Sequence, residues 1–212
     1  MDFRYVAKQF NNAPFTRQVI LDILKDYKRP NDKISELIKN GDLILLKRGL
    51  YIPGKNTDLI VPEPFLIANY LWGPSYVSLE TALSYWGLIP ERVFEIQSVT
   101  MKLSKKIKTP AGRFTYRFMP LPYYSFGIKS VKLVSGQVAL VATPEKALFD
   151  KIISTSGLTL RSFTQTRDFL MEDLRIDPEG LEKLNLKKLR SWLADAPKKD
   201  SLSMLIKTLN KL

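Results

Sequence analysis

The sequence predicts an α+β fold, with a small helix-and-hairpin unit first and a larger mixed α/β unit after it, built on an antiparallel sheet with a helical tail. Three observations predict it. Residues 16–54 show two stretches of helical spacing and then two short apolar runs parted by Lys47-Arg48-Gly49. From Val93 to Thr143 the apolar residues change to a period of two, the mark of strands. Between these regions Pro53-Gly54 and Pro62-Glu63-Pro64 interrupt both patterns, which sets the expected units at residues 1–55 and 62–212.

The first unit is expected to begin with a short helix from Asp2 to Phe10, broken by Asn11-Asn12-Ala13-Pro14. Thr16 can cap a second helix whose Val19, Ile20, Ile23, Leu24 and Tyr27 share one face, ended by Lys28-Arg29-Pro30. A third helix from Asn31 to Asn40 would bury Ile34, Leu37 and Ile38 and turn Lys33, Ser35, Glu36 and Lys39 outward. Gly41 suits the left-handed position past its end. Leu43–Leu46 and Leu50–Ile52 read as the strands of a tight ribbon, with Lys47 and Arg48 at its tip. Such a succession is that of a winged helix-turn-helix, in which the third helix would enter the major groove of DNA. An ordinary helix–hairpin unit with a solvated tip gives the same letters. Asp32 and Glu36 on the third helix repel phosphate, which counts against strong binding through that helix alone.

In the second unit Phe65–Leu71 is helical in period, and Ser78 can cap a helix that stops at Gly87 and Pro90. Val93–Leu103 and Arg113–Met119 read as paired strands joined through Lys105–Gly112, and Val131–Leu133 and Gln137–Thr143 as a second pair. Arg113, Thr115 and Arg117 would share one face, and Phe114, Tyr116 and Phe118 the other. Residues 101–135 carry eight cations and no acid: Lys102, Lys105, Lys106, Lys108, Arg113, Arg117, Lys129 and Lys132. With Tyr123, Tyr124 and Phe126 interleaved, they form a second basic patch that suits nucleic acid or an acidic protein. A solvated sheet face over an aromatic core would look the same. Thr143-Pro144-Glu145 opens a further helix as cap, first position and first-turn acid. The tail from Phe169 is helical, broken at Pro178 and Pro197, with Lys187, Lys188, Arg190, Lys198 and Lys199 on a solvated face.

The 212 residues are 45 % hydrophobic, enough for a core, and carry +12, which favours a polyanionic partner. Residues 1–55 hold 11 Lys/Arg against 6 Asp/Glu, whereas residues 56–100 hold one against five, so the surface changes polarity between the units. Neither cysteine nor histidine is present. Disulfides, thiol catalysis, Ser-His-Asp catalysis and His/Cys metal sites are thereby excluded. No metal, cofactor or catalytic residue is expected. A nuclease or nucleotidyltransferase would need clustered carboxylates for magnesium, and only Glu172-Asp173 with Asp177 form a loose group. Without a signal-like start, a membrane span or cysteine, the expected home is the cytoplasm.

Three stretches together resemble the AbiEi family of antitoxins from type IV toxin–antitoxin systems. They are Lys47-Arg48-Gly49-Leu50-Tyr51, the helix with Ser78, Thr81-Ala82-Leu83 and Gly87-Leu88, and the helix start Thr143-Pro144-Glu145-Lys146-Ala147-Leu148-Phe149-Asp150. The resemblance implies an N-terminal winged helix-turn-helix bound to the promoter of its own operon and a C-terminal domain for antitoxicity. It also implies a nucleotidyltransferase-like toxin as partner. Carried over, the wing cations are Lys47 and Arg48, with Lys33, Ser35 and Lys39 on the preceding helix. Lys28 and Arg29 would add phosphate contacts. The chain departs from the family where Trp86 replaces the histidine common before Gly-Leu. The expected function is a transcriptional repressor and antitoxin without catalysis. The alternatives are a module whose basic sheet binds an acidic protein and, further off, a metal-dependent enzyme on nucleic acid.

Overall fold

Phe3 and Ala7 stand one helical turn apart and bury one side of α1 (Phe3–Ala7). The structure is a computed structural model that describes residues 3–10 and 13–212, so the expected helix start at Asp2 and the break at Asn11-Asn12 lie outside the described residues. Thr16 closes β1 (Phe15–Thr16) and caps α2 (Arg17–Ile23), its Oγ accepting from the Val19 N–H at 3.3 Å. This helix stops at Ile23, short of the expected Tyr27. Pro30 does not end it but opens α3 (Pro30–Lys39), at a position where a missing N–H costs nothing. Gly41 takes φ +74° and lets the chain turn into β2 (Leu43–Lys47), which pairs antiparallel with β3 (Leu50–Pro53). The tip turn places Gly49 at φ +81°.

One pairing was not legible: β1 joins β3 antiparallel, giving a three-stranded sheet in the order β1-β3-β2. Its strand β3 is buried on both faces. Tyr51 packs with Phe3, Phe15, Ile20, Ile34 and Leu37 in a smaller core. Leu50 and Ile52 point the other way and, with Leu46, belong to the larger core of the second unit.

The larger unit runs through α4 (Pro64–Leu71), β4 (Ser75–Val77), α5 (Leu79–Tyr85), β5 (Ile96–Thr100), β6 (Lys105–Thr109) and β7 (Gly112–Phe118). It continues with β8 (Ile128–Lys132), β9 (Val138–Ala142), α6 (Pro144–Ser154), α7 (Phe163–Asp168), α8 (Pro178–Glu182), α9 (Leu186–Trp192) and α10 (Lys199–Leu209). The strands form one sheet in the order β6-β7-β5-β4-β9-β8. The expectation of an antiparallel sheet is corrected: it is mixed, since β5–β7 and β4–β9 are parallel. The cause is β6. Lys105–Gly112, expected as a connection, contains this strand, which folds back on β7 as a hairpin, so β7 returns in the direction of β5. The expected greasy face of β7 holds for Phe114 and Tyr116, but Phe118 is half exposed, and Thr115 is buried on the side expected to be solvated.

Around α6 the packing is closed on every side, and Glu145 to Asp150 are all buried. Thr143 caps it as expected, its Oγ1 accepting from the Lys146 N–H at 3.4 Å. At the other end Lys198, expected on a solvated face, donates from Nζ to the carbonyls of Ile152, Thr155 and Leu158. A lysine is suited to the negative end of a helix. Among the described residues no helix is long and apolar enough to cross a membrane.

Candidate nucleic-acid interface

Residues Asn31, Ser35 and Lys39 follow one another at four-residue spacing along the exposed side of α3, a single stripe. Arg17, the first residue of α2, reaches this stripe: its guanidinium donates to Asn31 Oδ1 at 3.0 Å. Its backbone N–H donates to the Gly49 carbonyl at 2.9 Å. Arg17 therefore ties the start of α3 to the turn between β2 and β3, where Arg48 is exposed. Sequence reasoning missed it, although Thr16 as a cap already puts residue 17 at the exposed start of a helix. Lys28 and Arg29 are exposed just before α3, and Arg29 stands 3.8 Å from Asp32. Ser35 spends its hydroxyl proton on the Asn31 carbonyl, at 3.1 Å.

Two expected contacts lie elsewhere. Lys33 is half a helical turn away from the stripe, donating to Glu36 Oε1 at 2.6 Å and standing over the Tyr27 ring. The hydrogen bond it donates to Glu36 raises the Lys33 pKa. Its side chain turns inward because Tyr27 offers a face on which the aliphatic stem can lie. Lys47 is not at a solvated tip either, for its Nζ donates to the Leu71 carbonyl at the end of α4, at 2.6 Å. It shares the Trp72 ring with Lys102 and Lys105, whose ammonium groups lie 5.2 and 4.3 Å from the ring centre. Burial, then repulsion from Lys102 and Lys105, lowers the Lys47 pKa.

The second basic patch is not one surface. Strand register puts Lys106 beside Thr115 and Lys108 beside Arg113, so Lys106, Lys108, Arg113 and Arg117 share one face of the β6–β7 hairpin. Lys105 pairs with Tyr116 and lies on the other face, toward Trp72. Lys129 and Lys132 are on β8, the opposite edge of the sheet. Closeness in sequence did not carry over because β5, β4 and β9 intervene.

A fully buried polar network joins α6 to β4. Asp150 Oδ2 accepts from Tyr76 Oη at 3.0 Å and from Ser78 Oγ at 2.7 Å, and its Oδ1 accepts from Tyr123 Oη at 2.8 Å. Lys146, one turn back, lies 3.2 Å from Asp150 Oδ1 and donates to the Tyr123 carbonyl at 2.8 Å. Neither side chain has exposed surface. With no surface exposed, this network ties α6 to β4 and to the Tyr123 turn. Ser78 stands at the cap position of α5 as expected, but its hydroxyl serves Asp150 and not the helix.

No group of three or more carboxylates that could hold a metal converges among the described residues. Asp177, one of the loose acidic cluster, caps α8 by accepting from the Glu179 N–H. The chain matches no known family model, and a search of curated proteins returns no match.

Proposed function

We propose that the chain is a DNA-binding repressor of its own operon, acting without catalysis in the cytoplasm. The observation that carries the reading is Arg17, which joins the exposed stripe of α3 and the Arg48 turn into one cationic surface. The order α1-β1-α2-α3-β2-β3, with the sheet order β1-β3-β2, supports a winged helix-turn-helix. On this reading Arg17, Lys28, Arg29, Lys39 and Arg48 neutralise phosphates, while Asn31 and Ser35 face base edges. Antitoxicity toward a nucleotidyltransferase-like toxin rests on the family resemblance of the three sequence stretches. A second reading, an acidic protein docking on the larger unit, is favoured by the four cations that share one face of β6–β7.

Fluorescence anisotropy on the DNA upstream of the gene and on a scrambled duplex, each over a range of salt, tests the first reading. Tighter binding to the native duplex, weakening steeply with salt, is expected. Equal or absent binding on both would overturn it.

A further inference from the structure

Between the β6–β7 hairpin and α6 lies a pocket of about 320 Å³, lined by side chains of five separate stretches of the larger unit. Its floor is polar: Thr115 Oγ1 donates to Glu95 Oε1 at 2.6 Å, and Gln97 Nε2 donates to Glu80 Oε2 at 2.7 Å. Lys151 pairs with the other oxygen of Glu80. The two acids are thus held in place and keep spare lone pairs. Lys106 and Arg117, on one face of adjacent strands, line the same pocket and carry no hydrogen bond or ion pair among the described residues. The Ser154 hydroxyl in the wall is shut from solvent and has no partner among the described residues. Leu79, also in the wall, holds φ +57°, a left-handed backbone that a leucine adopts at a cost and that gathers at ligand sites.

We propose that this pocket binds a small sugar phosphate. Two unpaired cations side by side suit a phosphate dianion, Arg117 by its planar fork and Lys106 as a point charge. The carboxylates of Glu80 and Glu95 accept from sugar hydroxyls. No aromatic side chain lines the pocket, so a nucleobase would find no ring to stack on. The volume is at the small end of ordinary ligand sites.

Isothermal titration of the full chain with ribose 5-phosphate, ribose and inorganic phosphate tests this. Ribose 5-phosphate is expected to bind one to one, and more tightly than either fragment. The double variant K106A/R117A should weaken it about tenfold or more, the size expected for lost charge-assisted bonds. Both side chains are exposed, so the fold is expected to persist, and R117Q alone gives a milder version of the same loss. Absence of binding, equal affinity for inorganic phosphate, or unchanged affinity in R117Q would overturn the proposal. Because the upstream DNA is absent from this titration, its failure is separate from failure of the repressor reading.

Discussion

A lysine and an aspartate one turn apart on a helix ordinarily form a surface pair, yet Lys146 and Asp150 have no exposed surface. Burial draws the Lys146 pKa down to about 8, against the upward pull of Asp150. Above that pH the native state has lost a proton that the unfolded chain keeps until about 10.4, so stability should rise with pH through this window. With one pKa unit worth about 1.4 kcal/mol, the rise is of order 3 kcal/mol. Burial pushes Tyr76 and Tyr123 well above their usual value. Above about pH 10 the unfolded chain loses tyrosine protons that the native state holds, and stability falls. Urea unfolding across this range should therefore peak near pH 10, and in Lys146→Met the climb toward the peak should shrink to the smaller part left by Lys47 and Lys198, whose pKa values burial also lowers. A climb undiminished by the substitution would place the main titrating group elsewhere. The letters of Thr143 to Asp150 give the cap but not the pair, because the groups that enclose the pair come from β4 and the Tyr123 turn, far off in sequence. On the surface proposed to face DNA, Arg17→Ala and Arg48→Ala should each weaken anisotropy-detected binding to every duplex and lower the salt slope by about 1. Lys33→Ala, engaged with Glu36 and Tyr27, should leave both unchanged.

Helix caps separate two elements whose starts look alike in sequence. Thr143 bonds the first turn of α6, and Thr143→Ala should cost about 1 kcal/mol in chemical unfolding. Ser78 stands at the same place before α5 but gives its hydroxyl to Asp150. Ser78→Ala removes one of the donors to a fully buried carboxylate, and a loss of about 1–3 kcal/mol is expected. Ser78→Thr keeps the donor and should recover much of it, whereas a pure cap effect would be recovered by Asp. Asp at residue 78 would instead set a second carboxylate against Asp150. Elements with a full period were legible: α3, the β2–β3 ribbon, β8 and β9, and the start of α6 lie within a few residues of expectation. The three-residue β4 and two-residue β1 were not, since neither is long enough to show alternation. Strand β6 was hidden by its lysines, which read as a loop though Ile107 packs opposite Phe114. Missing β4 and β6 is what made the sheet look antiparallel.

At the scale of the whole molecule the ribbon does more than carry a turn. The absence of any polar residue from Leu50 to Ile52 is the one sign in the letters that it is covered on both faces, by the smaller core through Tyr51 and by the larger through Leu50 and Ile52. Lys47 adds a hydrogen bond to the end of α4. Unfolding the helices of the smaller unit would uncover the Tyr51 face of this ribbon, and a ribbon that then leaves the larger core takes with it Leu46, Leu50 and Ile52, each worth about 1.5–3 kcal/mol when buried. The larger unit should not survive that loss unchanged, so damage on one side must be felt on the other. Ile20 is fully buried in the smaller core, and Ile20→Ala should cost about 2–5 kcal/mol. All three tryptophans, Trp72, Trp86 and Trp192, lie in the larger unit and report on it, Trp72 also sensing the ribbon through Lys47. In Ile20→Ala the tryptophan-detected thermal transition is expected to fall together with the one seen by far-ultraviolet circular dichroism. If the tryptophan signal kept its midpoint while ellipticity was lost at lower temperature, the two cores would be independent and the shared ribbon would contribute nothing between them.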